Sequence, residues 1–516
     1  MLEHYLACGY LRGCQVLINA AIWIAVGCFI AGVFKRMLGP SKTRMLFGEG
    51  TRYGLLIGWL VGMLLPVCSL GVIPVVREMH RVGIKGGTII AFGLTAPLFN
   101  PISVLYGLTL SDPIAILVFT FSALVIVTSL GFAWDLIFPK RDDPPEDPEL
   151  PTVGMQRSVA LLDSTSRELL GPTLVFLLIG ITGSVLLAML VPKGALQAET
   201  EPDKFFAPVV MSFVMTPVYA TPLQAMGQIG SMFQHGNSVG AAFSLLILGA
   251  GANIGLLTWF AAAFGIKRVF LFLGMLISIT VILAYCMDKP LYPKGVQPSG
   301  HTHAFDIYTH PFTPNQEDQL QTASLQLTDF RAKNDFGTSY LLVALVLMAL
   351  TFSLVRTFVD LEKWYVVKKE TKGGFDIILP GWFLGGTTIV SLVVASVIGT
   401  YLYYPPAHQL LSELREYNAN CVIASKSKDW EGVKKWVPYC EDLSRRLEVG
   451  VFLREGSVSE FRSTVAANYR ENLDTLRDAI EVQNYHESDE LGQQVANSYM
   501  QLSRAFRKQK PADDEE

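Results

Sequence analysis

The residues of this sequence best suited to binding a solute lie in one short segment. Residues 66–74 read Pro-Val-Cys-Ser-Leu-Gly-Val-Ile-Pro, which places Cys68 between two prolines. Because proline cannot donate a backbone amide to a helix, the neighbouring backbone groups are free to line a cavity. A thiolate is the ligand that soft metal and metalloid centres such as Cu(I) or trivalent arsenic prefer. Cys68 is therefore the leading candidate for a solute ligand; the alternative is a small buried packing residue.

Two asparagines, Asn100 and Asn253, lie in the middle of apolar stretches. An unpaired amide is costly in hydrocarbon, so each must face protein or a polar cavity. Hydrogen bonding between helices and contact with a solute both explain them. We expect the polar pocket to be completed by Ser69, Gly71, Pro74, Thr95, Pro97, Thr216, Tyr219 and Thr221.

A second group of candidate ligands is formed by His301, His303 and His310. Imidazole suits Zn or Cu(II), but the spacing matches no closed structural site, and a solvated loop explains it about as well. The sequence contains no serine-hydrolase, phosphate-binding or zinc-protease motif. We therefore expect a protein that is not an enzyme and holds no cofactor.

The composition indicates a membrane protein. The chain has 516 residues, of which 51% are hydrophobic and 17% charged, and its mean hydropathy is +0.37. This is too apolar for an ordinary soluble protein of such length. The formal net charge of −4 offers no basis for nucleic-acid binding. Lipid is thus the first expected partner.

About twenty apolar residues cross a bilayer as a helix. Eight uninterrupted runs meet that test: 15–35, 86–110, 113–138, 169–191, 237–263, 267–286, 339–359 and 378–404. Two more stretches, 53–82 and 205–235, are interrupted by proline-rich segments. Each is either a re-entrant hairpin or one broken span, and such breaks are tolerated where protein or a polar cavity covers the backbone.

An internal repeat follows from this order of elements. A shift of 153 residues superimposes Gly83 on Gly236, Gly87 on Gly240 and Asn100 on Asn253. Three crossings in each unit would place the second copy upside down, with the solute site between the copies. We predict an all-α polytopic membrane protein with two inverted repeats, each carrying a broken or re-entrant helix.

The predicted domains follow the same pattern. They are repeat 1 at 15–138, a polar linker at 139–168, repeat 2 at 169–286, an external loop at 287–337, two additional spans at 338–404 and a soluble helical bundle at 405–516. Basic residues mark the cytoplasmic side. Their placement predicts an inner-membrane protein with the bundle on the outer side.

The bundle is expected from apolar residues that recur at three- and four-residue steps after Ala407. We predict three to five helices and a role in docking a protein partner or in sensing. Cys421 and Cys440 share this region. They form a disulfide or remain two free thiols.

The segment from Cys68 to Pro74, followed by Ala96-Pro97 and Asn100-Pro101-Ile102, resembles the predicted permease family that includes the organoarsenical efflux permeases. The resemblance covers about residues 15–286. It implies export of a small inorganic or organometalloid solute, and some relatives are linked to copper or zinc efflux. Relatives often carry a second cysteine or glycine-rich break, whereas Pro217 to Pro222 contains no thiol.

Residues and resemblance together favour a permease that exports a small solute, an organoarsenical or a soft metal or metalloid species, by alternating access. One alternative is a copper or zinc exporter that uses the histidines of the outer loop. Another is a membrane-anchored sensor or scaffold that acts through the bundle at 405–516.

Overall fold

The computed structural model describes residues 2–48, 53–111, 113–139, 155–293, 296, 298, 302, 304–312, 318–334, 338–361, 381–481 and 488–507. Every regular element among them is a helix, as the sequence predicts. The chain divides into two compact units. The first comprises Met1–Val104 and Pro113–Ser396, and the second comprises Leu105–Asp112 and Val397–Glu516.

The first third of the chain contains eight α-helices and one π-helical segment among its described residues. They are α1 Leu2–Val33, the π segment Phe34–Leu38, α2 Gly39–Leu46, α3 Gly54–Leu64, α4 Val72–Arg81, α5 Gly86–Thr95, α6 Pro101–Leu110, α7 Pro113–Ile137 and α8 Met155–Leu170.

The elements up to the last apolar helix follow in the same way. They are α9 Pro172–Leu190, α10 Ala195–Ala198, α11 Ala207–Met215, α12 Pro222–Gln234, α13 Val239–Ser244, a second π segment Leu245–Gly251, α14 Ile254–Phe264, α15 Ile266–Asp288, a 3-10 turn Asp306–Tyr308, α16 Gln319–Asn334, α17 Thr338–Phe358 and α18 Gly381–Tyr403.

Six described helices are long and apolar enough to cross a membrane, and they coincide with six of the eight predicted spans. They lie in Glu3–Leu46, Pro113–Ile137, Pro172–Leu190, Ile266–Asp288, Thr338–Phe358 and Gly385–Tyr403. The number rises to seven if one bent helix pair is counted as a span. The protein is therefore a multi-pass membrane protein.

The two remaining predicted spans were wrong as continuous helices. The run at 86–110 divides into α5 and α6, with residues 96–100 outside both helices. The run at 237–263 divides into α13 with its π segment and α14, which bend by 57°. Hydropathy alone does not register these breaks, because the residues at them remain mostly apolar.

The predicted connections contain more helix than expected. The linker at 139–168 ends in α8, and the predicted external loop at 287–337 contains α16, which packs against α1. Helix α1 also runs well beyond the predicted span at 15–35. A search for apolar runs of about twenty residues does not reveal α8, α16 or the first turns of α1, because these parts are short or polar.

The chain after the last apolar helix folds as four helices, within the predicted range of three to five. They are α19 Ala407–Lys426, α20 Trp430–Glu455, α21 Glu460–Glu481 and α22 Ser488–Phe506. One buried cluster links all four, and it includes Leu414, Val437, Leu473 and Val495. Such a shared core is what holds a helix bundle together.

Cys421 and Cys440 lie in the core of this bundle as free, fully buried thiols. Burial raises the pKa of Cys421 to about 12 and also raises the pKa of Cys440, because a thiolate loses its hydration there. Both thiols therefore remain protonated and unreactive near neutral pH.

Candidate functional site

Four interruptions in the helices of unit 1 meet in its interior. They lie at residues 65–71, 96–100, 216–221 and 252–253, and we call them the first to the fourth break. Ser69 of the first break accepts a hydrogen bond from Asn253 of the fourth at 2.7 Å. Leu98 of the second break packs directly against Gly251, just before the fourth. The sequence predicted two of these breaks, and the fold brings together four.

Cys68 lies in the first break and is fully buried. Its sulfur accepts a hydrogen bond from the Gly71 amide at 3.3 Å, immediately before α4 begins at Val72. This hydrogen bond fixes the sulfur at the start of α4. Tyr219 of the third break places its hydroxyl beside the thiol.

Both polar atoms of the Asn253 side-chain amide make hydrogen bonds. Its oxygen caps α14 by accepting from the Leu256 amide at 3.0 Å, and its nitrogen donates to Ser69. Gly180 of α9 and Gly255 both lie so close to that oxygen that a β-carbon on either would crowd it. The amide is therefore an interhelical link, which was one of the two roles expected for it.

Tyr219 is fixed by the neighbouring helix α9. Its backbone amide donates to the Ser184 hydroxyl at 2.7 Å. Its own hydroxyl makes no hydrogen bond of acceptable geometry among the described residues, although the side chain is only 1% exposed. A buried donor without a partner costs about 1–3 kcal/mol, so the hydroxyl is available to a bound group.

Asn100 differs from its counterpart Asn253. Its oxygen caps α6 by accepting from the Ser103 amide at 2.8 Å. Its side-chain nitrogen is fully buried and has no partner within the described part of the chain. The residue 153 positions after Ser69 is Pro222, and the one 153 before Asn253 is Asn100. The two repeats therefore share the asparagine but not the hydroxyl that would satisfy it.

The other predicted pocket residues make local contacts. Thr95 and Thr216 each donate to the carbonyl four residues earlier in their own helix at 2.7 Å. Thr221 caps α12 in a reciprocal arrangement with Gln224. These bonds are the structural roles that such residues commonly have.

Glycine and proline shape the backbone around the same breaks. Gly71 lies against the Trp23 carbonyl of α1, where a side chain would overlap it. Pro74 falls in the first turn of α4, and Pro97 lies in the second break. All three lie at or beside the first two breaks, and direct contact of any of them with a solute stays a prediction.

The structure repeats its local contacts at the predicted shift. Gly83 and Gly236 both have positive φ, at 79° and 63°. The Gly87 amide donates to Asp135 at 2.8 Å, and the Gly240 amide donates to Asp288 at 2.7 Å. Each glycine and each aspartate stands 153 residues from its counterpart. The 153-residue repeat is therefore present in the hydrogen bonds as well as in the sequence.

Several residues near the breaks were missed by the sequence interpretation. Asp135 and Asp288 also recur at 153 residues, a signal that a systematic search of the repeat would have found. Cys28 of α1 is another fully buried thiol in this unit. Tyr308, from far along the chain, donates a hydrogen bond to Gln228 of α12, and no local pattern predicts that contact.

The predicted histidine group is only partly described, since His301 and His303 lie outside the described residues. His310 contacts the His4 ring nitrogen at 3.2 Å and the Met189 carbonyl at 2.8 Å. Among the described residues no group of three or more histidine, cysteine or acidic side chains is arranged to hold a metal ion. A zinc or copper site in this loop stays a prediction.

Comparison with known proteins agrees with this architecture. A family model described as a predicted permease, ArsP_1, matches residues 14–288. The chain is similar to the UPF0718 protein YcgR of Bacillus subtilis (strain 168), with 26% identity over 276 residues, which is 52% of this chain and 92% of the relative.

A second similar protein comes from Streptococcus mutans and is provisionally named a two-component membrane permease complex subunit. It is 27% identical over 119 residues, which cover 23% of this chain and 40% of the relative. No solved structure matches the chain. The family match covers the helices that carry all four breaks. The chain therefore belongs to the ArsP_1 family of predicted permeases.

Proposed function

We propose that this membrane transporter exports a small solute that binds at the four breaks, and that the solute is an organoarsenical or another soft metal or metalloid species. One observation carries the proposal. A cysteine sulfur at a helix start and a buried tyrosine hydroxyl lie side by side where broken helices meet, and within the described part of the chain the hydroxyl has no well-aligned hydrogen bond.

The chemistry of the site supports this class of solute. Sulfur is the ligand for a soft centre, and the Tyr219 hydroxyl beside it offers a hydrogen bond to an oxygen on the same solute. The Asn100 nitrogen, also without a partner among the described residues, offers a second donor. Thiol, hydroxyl and amide together suit a small neutral or weakly polar species.

Alternating access requires that two halves of the protein move about the site. We propose that the two repeats are inverted copies, with the bundle on the outer side of the inner membrane. The matching hydrogen bonds of Gly87 and Gly240 support two equivalent halves. The Ser69–Asn253 bond is then the link between halves that must exchange during transport.

The test is replacement of Cys68 by serine. Export-deficient cells that carry Cys68→Ser should lose tolerance to a trivalent organoarsenical, to copper or to zinc, because oxygen is a poor ligand for soft centres. Cys286→Ser is the matched control, since Cys286 is exposed on the apolar helix α15. Unchanged tolerance to all three solutes, with normal protein levels, would remove Cys68 from the mechanism.

A protein partner for the bundle at 405–516 is a separate proposal. The relative named as a subunit of a membrane permease complex supports it, because that name describes assembly with a further component. Co-purification of the full chain from cells, with and without residues 405–516, tests it. Recovery of the same partners by both chains would contradict the proposal.

A further inference from the structure

We propose that residues 304–312 form a plug over the site and that Tyr308 is the residue that closes it. This segment follows the family-matched region, which ends at residue 288. The inference rests on the proposed function, because it assigns the plug to the same solute site. It adds a gating residue that lies outside both repeats.

The segment is buried like a core element. The exposed fractions of Phe305, Tyr308 and Phe312 are 1%, 1% and 4%. A short polar connection between membrane helices would ordinarily lie on the surface. Burial of three aromatic rings therefore indicates that the segment occupies space inside unit 1.

Tyr308 is the part of the segment that reaches the site. Its hydroxyl donates to Gln228 of α12 at 3.2 Å, and α12 begins at Pro222, directly after the third break that holds Tyr219. Tyr219 in turn lies beside Cys68. The side-chain nitrogen of Gln228 has no partner among the described residues. The polar groups beneath the plug therefore include a hydrogen-bond donor that no described residue satisfies.

Several contacts anchor the segment at one end of unit 1, where α1 begins and α9 ends. Arg12 of α1 donates to the carbonyls of Asp306 and Thr309. The His310 amide donates to the Val191 carbonyl at 3.0 Å, just after α9. Phe312 packs with Ala7 and Leu11 of α1. The plug therefore closes the site from that end only, and it opens by releasing a small set of contacts.

Accessibility of Cys68 tests this without requiring transport. In the full chain with the other cysteines replaced by serine, a membrane-impermeant methanethiosulfonate reagent is applied to vesicles from each side. Tyr308→Ala should raise the labelling rate of Cys68 by roughly tenfold or more from one side only, because the open state gains population. Tyr10→Ala, at an exposed position on α1, should change neither rate.

Two further variants guard against misfolding. Tyr308→Phe keeps the ring and loses only the hydroxyl, so labelling should stay close to the parent rate. Val191→Cys with His310→Cys pairs residues whose backbones already touch, and oxidation should lock the plug and stop solute efflux until a reductant is added.

An unchanged labelling rate in Tyr308→Ala, or an equal rise from both sides, would overturn the plug. Efflux that continues through the oxidised cysteine pair would also overturn it. One-sided opening together with an unaffected Cys68→Ser phenotype would sustain the plug and overturn the proposed function alone.

Discussion

The Asn253 amide shows how one side chain both ends an irregular segment and joins two elements. Its oxygen caps a helix and its nitrogen binds Ser69 across the site. Asn100 performs only the first of these tasks, and its nitrogen remains free within the described residues. The same residue type thus stabilises one half of the protein and offers a donor in the other.

This difference predicts unequal effects of removing the two partners. Asn253→Ala loses a helix cap and leaves the Ser69 hydroxyl buried without a partner, so unfolding free energy should fall by about 2 kcal/mol. Ser69→Ala should cost only about 1 kcal/mol.

Because both changes remove one bond, the double variant should lose less than the sum of the two. Thermal unfolding of the full chain in detergent measures the three values. Strict additivity would show that the Ser69–Asn253 bond contributes nothing to stability.

At the scale of helices, close packing at glycine positions the breaks. Gly27 of α1 lies against the Gly71 carbonyl, and Gly183 of α9 lies against the Pro217 carbonyl. In both cases a side chain would overlap a backbone atom, which cannot move without moving the break. Helices α1 and α9 thereby hold the first and third breaks in place.

Gly27→Ala should consequently destabilise the fold by about 1–3 kcal/mol, because the inserted methyl displaces backbone. Gly274→Ala on α15 is the matched control, since nothing lies within 4 Å of a β-carbon there. It should be neutral or stabilise by up to about 1 kcal/mol through helix propensity.

Melting temperature in detergent, read alongside the protein recovered from membranes, measures both glycine variants. Equal melting temperatures for the two would mean that α1 does not hold the first break as the geometry requires.

For the whole molecule, the division into two units gives the helical bundle a core of its own. The four bundle helices share one core, and the buried Glu448–Arg470 pair at 2.6 Å joins α20 to α21 within it. The Glu448 carboxylate also accepts from the Ser463 hydroxyl at 3.1 Å. Such a core contains its own polar partners and does not depend on lipid.

We therefore expect residues 405–507, produced alone, to fold into a soluble helical domain that melts cooperatively. Circular dichroism through a thermal scan measures this. Glu448→Ala should lower its stability by about 3–5 kcal/mol, because the buried Arg470 guanidinium loses its carboxylate partner.

Glu431→Ala is the control for that fragment, because it removes only the exposed pair with Lys434 and should cost less than about 1 kcal/mol. A fragment that is unfolded or aggregates would contradict an independent bundle.

The sequence by itself determined the membrane class, six of the eight predicted continuous spans, the repeat at 153 residues and the helical bundle, because these follow from composition and periodicity. Tertiary structure decided the rest. The breaks after Thr95 and before Ile254 lie inside apolar runs, and local hydropathy does not mark them.

Likewise only the fold could bring Ser69 to Asn253 and Tyr308 to Gln228, since contacts across such distances in sequence depend on how helices pack. Residue types predicted where a solute ligand could lie. Packing of the helices against one another decided which polar atoms are satisfied and which remain free to bind.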